Sequence, residues 1–309
     1  MSLSNFSLLP AQEVGELVMS EQEDTPRKVK EANQDPPREV KGGRRRDYLF
    51  QERKWKNVCT IRHTVLYQID LSVTADGFIH FGDVVILLNL GREKESVNSS
   101  DPPREPATLS INVDETKISK LASVQAPCEV TASRSLTPSV RNAFVIVSVD
   151  SSRPGDPLTF GQSFAIRTTE GFAGGLYLTS DNQSFQKCAK KSRLQEVSLV
   201  DQPSYLTCWK VVYYDPQMRL EYEGCPIPAN LRMLVVHCKT NQCLAALGQH
   251  TVWTPYGQEY EVTAHTFLDA HKAERDPNHW LFITKDPGNG SPTMSERSNP
   301  IPERIQDNE

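Results

Sequence analysis

The stretch "CWKVVYYDP", Cys208 to Pro216, sets an aromatic residue six positions ahead of an aspartate, with mostly apolar residues between. The same phrase occurs twice more: "AFVIVSVD" carries Phe144 and Asp150, and "HWLFITKDP" carries Trp280 and Asp286. From aromatic to aromatic the steps are 65 and 71 residues. Working upstream, each phrase is preceded by an acidic-apolar one: "CEVTAS" with Glu129, "QEVSLV" with Glu196 and "YEVTAH" with Glu261, spaced 67 and 65 residues apart. Further upstream stand "GDVVILLN" (82–89), "GQSFAIRT" (161–168) and "NLRMLVVH" (230–237), each alternating as a half-buried strand does. "LYLTSD" (176–181) and "LAALGQ" (244–249) follow in the second and third units. In the first unit "ATLSIN" (107–112) comes later, delayed by a polar insert.

Three units of four short strands, roughly 82–150, 161–215 and 230–286, predict an all-β fold. Such units cannot bury a face singly and do so by closing together. The expected architecture is a closed threefold barrel, the β-trefoil, with a two-sheet sandwich as the alternative. Phe144, Trp209 and Trp280 are then expected in the core. Asp150, Asp215 and Asp286 are expected to close Asx-type turns, not to converge on a metal.

Composition agrees with one folded middle between polar ends. The 309 residues are 38% apolar, and the first 55 are more polar than the middle. Twenty-one prolines and sixteen glycines suit short strands. The expected organisation is an N-terminal arm over 1–70, a folded domain over 71–287 and a polar tail over 288–309. A net charge of −5 gives no general reason to expect nucleic acid or an anionic membrane. The N-terminus lacks the pattern of a signal peptide, so the seven cysteines are read as reduced cytosolic thiols.

Motifs for catalysis are scarce. The chain contains no Gly-rich phosphate loop, G-x-S-x-G elbow or H-E-x-x-H pair. His237, Cys238, Cys243 and His250 lack the spacing of a structural zinc site, and His237 and Cys238 would point to opposite faces of one strand. His265, Asp269, His271 and His279 lie in a polar loop better suited to partner contact than to proton transfer. The connector "PQMRLEYEG" mixes aromatic and charged groups, so Arg219, Glu221, Tyr222 and Glu223, with His265 and His271, are the candidate partner contacts. No catalytic, cofactor-binding or metal-ligating residue is assigned. Trp253 and Tyr256 are candidate stacking residues for an alternative, carbohydrate-binding function. From Arg38 to Lys56, eight Lys or Arg stand against three Asp or Glu, a candidate tether for an acidic partner.

Longer phrases carry a specific resemblance. "LSVTADGFIHFGDVVILLN" (71–89), "RNAFVIVSVD" (141–150), "RLQEVSLVD" (193–201), "DPQMRLEYEGCPIPAN" (215–230), "HCKTNQCLAA" (237–246) and "EVTAHTFLDAH" (261–271) resemble the cilia- and flagella-associated protein 161 family. The resemblance implies a trefoil similar to the MIR module and a non-enzymatic, structural protein of the motile-cilium axoneme. It implies residence in the lumen of doublet microtubules, with α/β-tubulin and other inner proteins as partners. Family members open with a Gly-Asn-Trp phrase and an acidic helix that residues 1–70 do not show.

Overall fold

The computed structural model describes residues 64–91, 104–114 and 123–285. Twelve strands form, four to a unit, and every one coincides with a stretch expected from the repeat. The first unit holds β1 (Val84–Asn89), β2 (Ala107–Asn112), β3 (Cys128–Ser133) and β4 (Ala143–Ser148). The second holds β5 (Ser163–Thr168), β6 (Tyr177–Ser180), β7 (Gln195–Val200) and β8 (Trp209–Tyr213). The third holds β9 (Met233–His237), β10 (Leu244–Thr254), β11 (Gly257–Ala264) and β12 (His279–Ile283).

First and fourth strands of each unit pair with one another, and each fourth strand pairs with the next unit's first. The antiparallel pairs β1–β4, β4–β5, β5–β8, β8–β9, β9–β12 and β12–β1 therefore close a ring. The second and third strands form hairpins, β2–β3, β6–β7 and β10–β11. Those hairpins pair among themselves, β3 with β7, β7 with β11 and β11 with β3. A closed ring of this kind replaces the two opposed sheets of the sandwich alternative.

Backbone hydrogen bonds repeat the same symmetry. Ile79 N donates to Ile227 O, Ile227 N to Leu158 O, and Leu158 N to Ile79 O, each at 2.8–2.9 Å, and all three residues are fully buried. Three residues further on, Gly82, Gly161 and Asn230 take φ of +97°, +82° and +61°. Their N–H groups reach Ile146, Val211 and Phe282, each two residues past its unit's core aromatic. Glycine meets that left-handed conformation without steric cost, and asparagine is among the residues that tolerate it.

One apolar core runs through all three units. Phe144, Trp209 and Trp280 are fully buried in it. Trp209 Nε1 donates to Leu178 O at 2.9 Å and Trp280 Nε1 to Leu244 O at 3.0 Å, so neither buried indole leaves its donor unpaired. At the strand ends, Asp150 Oδ1 accepts from Ser152 N at 3.2 Å and Asp215 Oδ1 from Gln217 N at 3.0 Å, the expected Asx-type turns. Asp286 lies outside the described residues.

The start of the domain needs correction. A boundary at residue 70 divides packed structure, because Val65 is fully buried in the main core and Thr64 is also buried. Val140 N donates to Tyr67 O at 2.9 Å, tying this lead-in to the segment before β4. At the other end Lys285 N donates to Ser72 O at 2.8 Å.

Candidate partner-binding surface

The connector after β8 builds one helical turn, α1 (Arg219–Tyr222). Met218 N bonds back to Asp215 O, and Glu221 N and Tyr222 N both reach Met218 O. Gly224, at φ +79°, then reverses the chain. Within this turn the side chains divide between core and solvent. Tyr222 stacks on Tyr213 with ring centroids 4.1 Å apart and an interplanar angle of 18°, while Phe160 meets Tyr213 edge-on at 5.8 Å. Tyr222 is buried, so the expectation that it faces a partner is corrected: its ring packs into the core against Tyr213 and Phe160. Burial among these rings, with Tyr222 and Tyr214 beside it, pushes the Tyr213 hydroxyl well above its ordinary range.

Arg219 also turns inward. Its Nε donates to Tyr213 O at 3.0 Å, and its guanidinium pairs with Glu274, which is only 10% exposed. That pair joins the connector to the loop carrying His265 and His271, two segments the sequence had only placed apart. What remains outward on α1 is Leu220, 89% exposed, with Glu221 and Glu223. The Glu223 carboxylate also lies over Gly161, where a Cβ would come within 1.9 Å of it.

In the neighbouring loop, Asn278 is the organiser. Its Oδ1 accepts from Phe267 N, and its Nδ2 donates to His265 O and Leu244 O. Asp269 Oδ1 accepts from Ala273 N and His271 N, which holds that carboxyl below its ordinary value. His271 is exposed at the tip. His265 sits lower, its ring 4.7 Å from Phe267, and burial lowers its pKa. The candidates thus split: Glu221, Glu223 and His271 are exposed, Arg219 and His265 support them, and Tyr222 is core.

The His/Cys cluster disperses into separate roles. His237 is fully buried between Thr240 Oγ1 and Leu206 O, each 2.9 Å from a ring nitrogen. Burial lowers its pKa. Burial likewise pushes the Cys243 thiol up to about 11. Among the described residues no group of three His, Cys, Asp or Glu side chains is placed to hold a metal ion.

One ion pair escaped the sequence reading, and the two candidate stacking residues take different positions. Arg141 and Glu259, both about 4% exposed, form a two-point ion pair at 2.7 and 2.5 Å, with Thr131 Oγ1 donating to the same carboxylate. The Arg141 guanidinium also covers the Tyr256 ring at 4.0 Å. Trp253, 81% exposed, stands at the tip of β10–β11 beside a cleft of about 710 Å³ lined in part by Glu129, Asp181, Lys190 and Glu196. Burial, and then the neighbouring Glu129, raise the Glu196 pKa.

These features define an all-β barrel with its candidate contact residues in the loops between strands. Residues 56–285 match the family model described as the cilia- and flagella-associated protein 161-like domain, and the chain belongs to that family. It is 50% identical over 240 residues to cilia- and flagella-associated protein 161 of Danio rerio, covering 76% of this chain and 78% of the relative. The Mus musculus relative is 39% identical over 250 residues, covering 79% and 81%. Among solved structures, the SDF2-like protein from Arabidopsis thaliana aligns over 67% of this chain and 94% of its own, with TM-score 0.48 and 15% identity.

Proposed function

We propose that this chain is a structural component of the motile-cilium axoneme, held in the lumen of doublet microtubules through contacts to α/β-tubulin and neighbouring inner proteins. Its barrel is on this reading a β-trefoil of the MIR-like kind, the architecture that the three cyclic sets of strand pairs and the Ile79–Leu158–Ile227 hydrogen-bond ring support. The observation that carries the functional reading is family membership across residues 56–285, under a name that refers to cilia and flagella. Physical form supports it as well. A closed ring leaves few free strand edges and sets several loops around a rigid core, which suits a body gripped by more than one neighbour. The exposed group Leu220, Glu221, Glu223 and His271 is the proposed partner face.

Stepwise extraction of axonemes tests the proposal. Detergent removes membrane and moderate salt screens exposed charge pairs, so a lumenal protein stays with the doublets through both. It leaves together with tubulin when the wall is dissolved. Recovery in the detergent-soluble fraction overturns lumenal residence. The exposed Trp253 beside its polar cleft favours a second reading, carbohydrate binding, which a glycan array tests directly.

A further inference from the structure

We infer that Cys208 and Cys238 are a modification site: a cross-strand dithiol that a hydroperoxide closes to a reversible disulfide. The register of β8 and β9 pairs Trp209 with His237, so the next residues outward, Cys208 and Cys238, face each other. Cys238 N donates to Cys208 O at 3.0 Å, which makes them a hydrogen-bonded pair. Opposed residues of an antiparallel pair project to the same side, with Cα atoms about 5.5 Å apart in such a pair. That separation lies within the roughly 4.4–6.8 Å that disulfides bridge. The Cβ atoms of opposed residues stand about 4.5–5.5 Å apart, at the wider end in a hydrogen-bonded pair, so closure must draw them together by about 1–2 Å. Both residues stand one position beyond the strand bounds at Trp209 and His237, and Cys238 already begins a turn, so their bond closes the end of the ladder.

Both thiols are partly exposed, whereas Cys128 and Cys243 are buried. Cys188 and Cys225 are also partly exposed but face no other cysteine in a strand register. Cys238 Sγ lies 3.7 Å from Ser163 Oγ and Cys208 Sγ 3.6 Å from Ser204 O, contacts weak enough to yield to a covalent bond. Burial, and then Cys238 itself, hold the Cys208 thiol above its ordinary pKa, so Cys208 is the resolving partner.

In the first step Cys238 sulfur attacks a peroxide oxygen, the O–O bond breaks, and a sulfenic acid and one water result. Cys208 sulfur then attacks the sulfenic sulfur, the S–S bond forms, the S–O bond breaks and a second water leaves. Two thiols lose two electrons and two protons, and hydrogen peroxide becomes two waters. The new bond encloses residues 209–237 and so clamps the base of the segment presenting Leu220 and Glu221. The adjustment it demands of the strands makes it easier to reduce than an unstrained disulfide.

Peptide mapping of the full chain tests this. Trypsin cuts after Arg193, Lys210, Arg232 and Lys239, placing each thiol alone in its own peptide. After graded hydrogen peroxide and alkylation of the remaining thiols, the linked 194–210 and 233–239 peptides should be the principal disulfide. Dithiothreitol should return both peptides. Cys208→Ser and Cys238→Ser should each abolish the link, and Cys225→Ser should leave it intact. Sulfonate at these positions without the link, or links mainly between molecules, overturns the proposal. So does an equal yield of the same link from urea-unfolded chain, since the fold would then contribute nothing.

Discussion

Trp209 contributes to stability in two separable ways, by filling the centre of the barrel and by satisfying Leu178 O. Trp209→Ala is expected to cost about 3–5 kcal/mol through the cavity it leaves. Trp209→Phe keeps much of the packing but loses the donor and part of the indole volume, so it should cost about 1 kcal/mol for the hydrogen bond plus a smaller cavity cost than Trp209→Ala. Urea denaturation of both variants gives the comparison, and equal midpoints would remove the hydrogen bond from the account. A second expectation concerns Arg141. Removing it as Arg141→Ala leaves the Glu259 carboxylate buried with the Thr131 hydroxyl still donating to it, at a cost of about 3–5 kcal/mol. The pH dependence should come partly from His237. Its pKa is lowered from 6.5 in the fold, so the unfolded chain binds more protons and stability is lost as pH falls below that value. The neutral ring suits its site, with Nε2–H donating to Leu206 O and the Thr240 hydroxyl donating to Nδ1. Melting temperature should therefore fall from neutral pH to roughly pH 5.5, and less steeply in His237→Gln. Asp150, held at about 2, contributes only at far lower pH, as its carboxylate is protonated. At this scale the recurring aromatics and aspartates were legible because spacing repeats them. Arg141 and Glu259 were not, since 118 residues separate them and no local pattern links the turn before β4 to β11.

Threefold repetition made all twelve strands legible, because each unit sets four strand phrases in the same order. Two other elements were hidden for different reasons. The Ile79–Leu158–Ile227 ring rests on single apolar residues inside loop-like sequence, and only the shared three-residue offset to Gly82, Gly161 and Asn230 marks it. The extension of β10 to Thr254 was hidden because its outer half is polar and its pairing with β11 shifts register between Leu247 and Thr251. Beneath that irregular stretch lies Arg104, from the proline-rich insert. Its guanidinium donates to Ala246 O and, at 2.7 Å, to Asn89 Oδ1. Gly248 permits this, since a Cβ there would stand 2.6 Å from Arg104 Cδ. Gly248→Ala should accordingly destabilise by about 1–3 kcal/mol, the cost of overpacking a filled site. Much of that cost should vanish when Arg104 is already truncated. A double-mutant cycle with Arg104→Ala measures the coupling, and strict additivity would show that the two residues act independently. The connector 216–224 was legible as a surface segment but not in its detail. A single helical turn sends Arg219 and Tyr222 inward, and sequence mixing aromatic with charged residues does not reveal which of them turns.

At the scale of the whole molecule, the packed body reaches further upstream than composition implies, because Val65 turns inward while the apolar residues beside it, Leu66 and Tyr67, stay exposed. A chain starting at Ile69 loses that side chain and the Tyr67 O acceptor. It should melt below a chain starting at Lys56, by an amount set by roughly 1.5–3 kcal/mol for one buried aliphatic side chain. Coincident melts would return residues 64–68 to the arm. The functional expectation follows from the same distribution of contacts. The candidate face consists of one exposed leucine, two exposed acidic groups and a histidine tip, with no deep apolar pocket among them. A surface of that composition gives modest affinity alone, and strong retention requires several such contacts made together. Free tubulin dimers present only part of the composite lattice surface, so cosedimentation with them should be weak while retention in assembled doublets is strong. Leu220→Asp is suited to the test because its side chain is almost wholly exposed and contributes little to folding. That variant should keep its melting temperature and still reach the axoneme, yet leave it at lower salt than wild type. Unchanged release would remove the α1 face from the interface. Complete loss from the axoneme, with folding intact, would show one dominant contact in place of many.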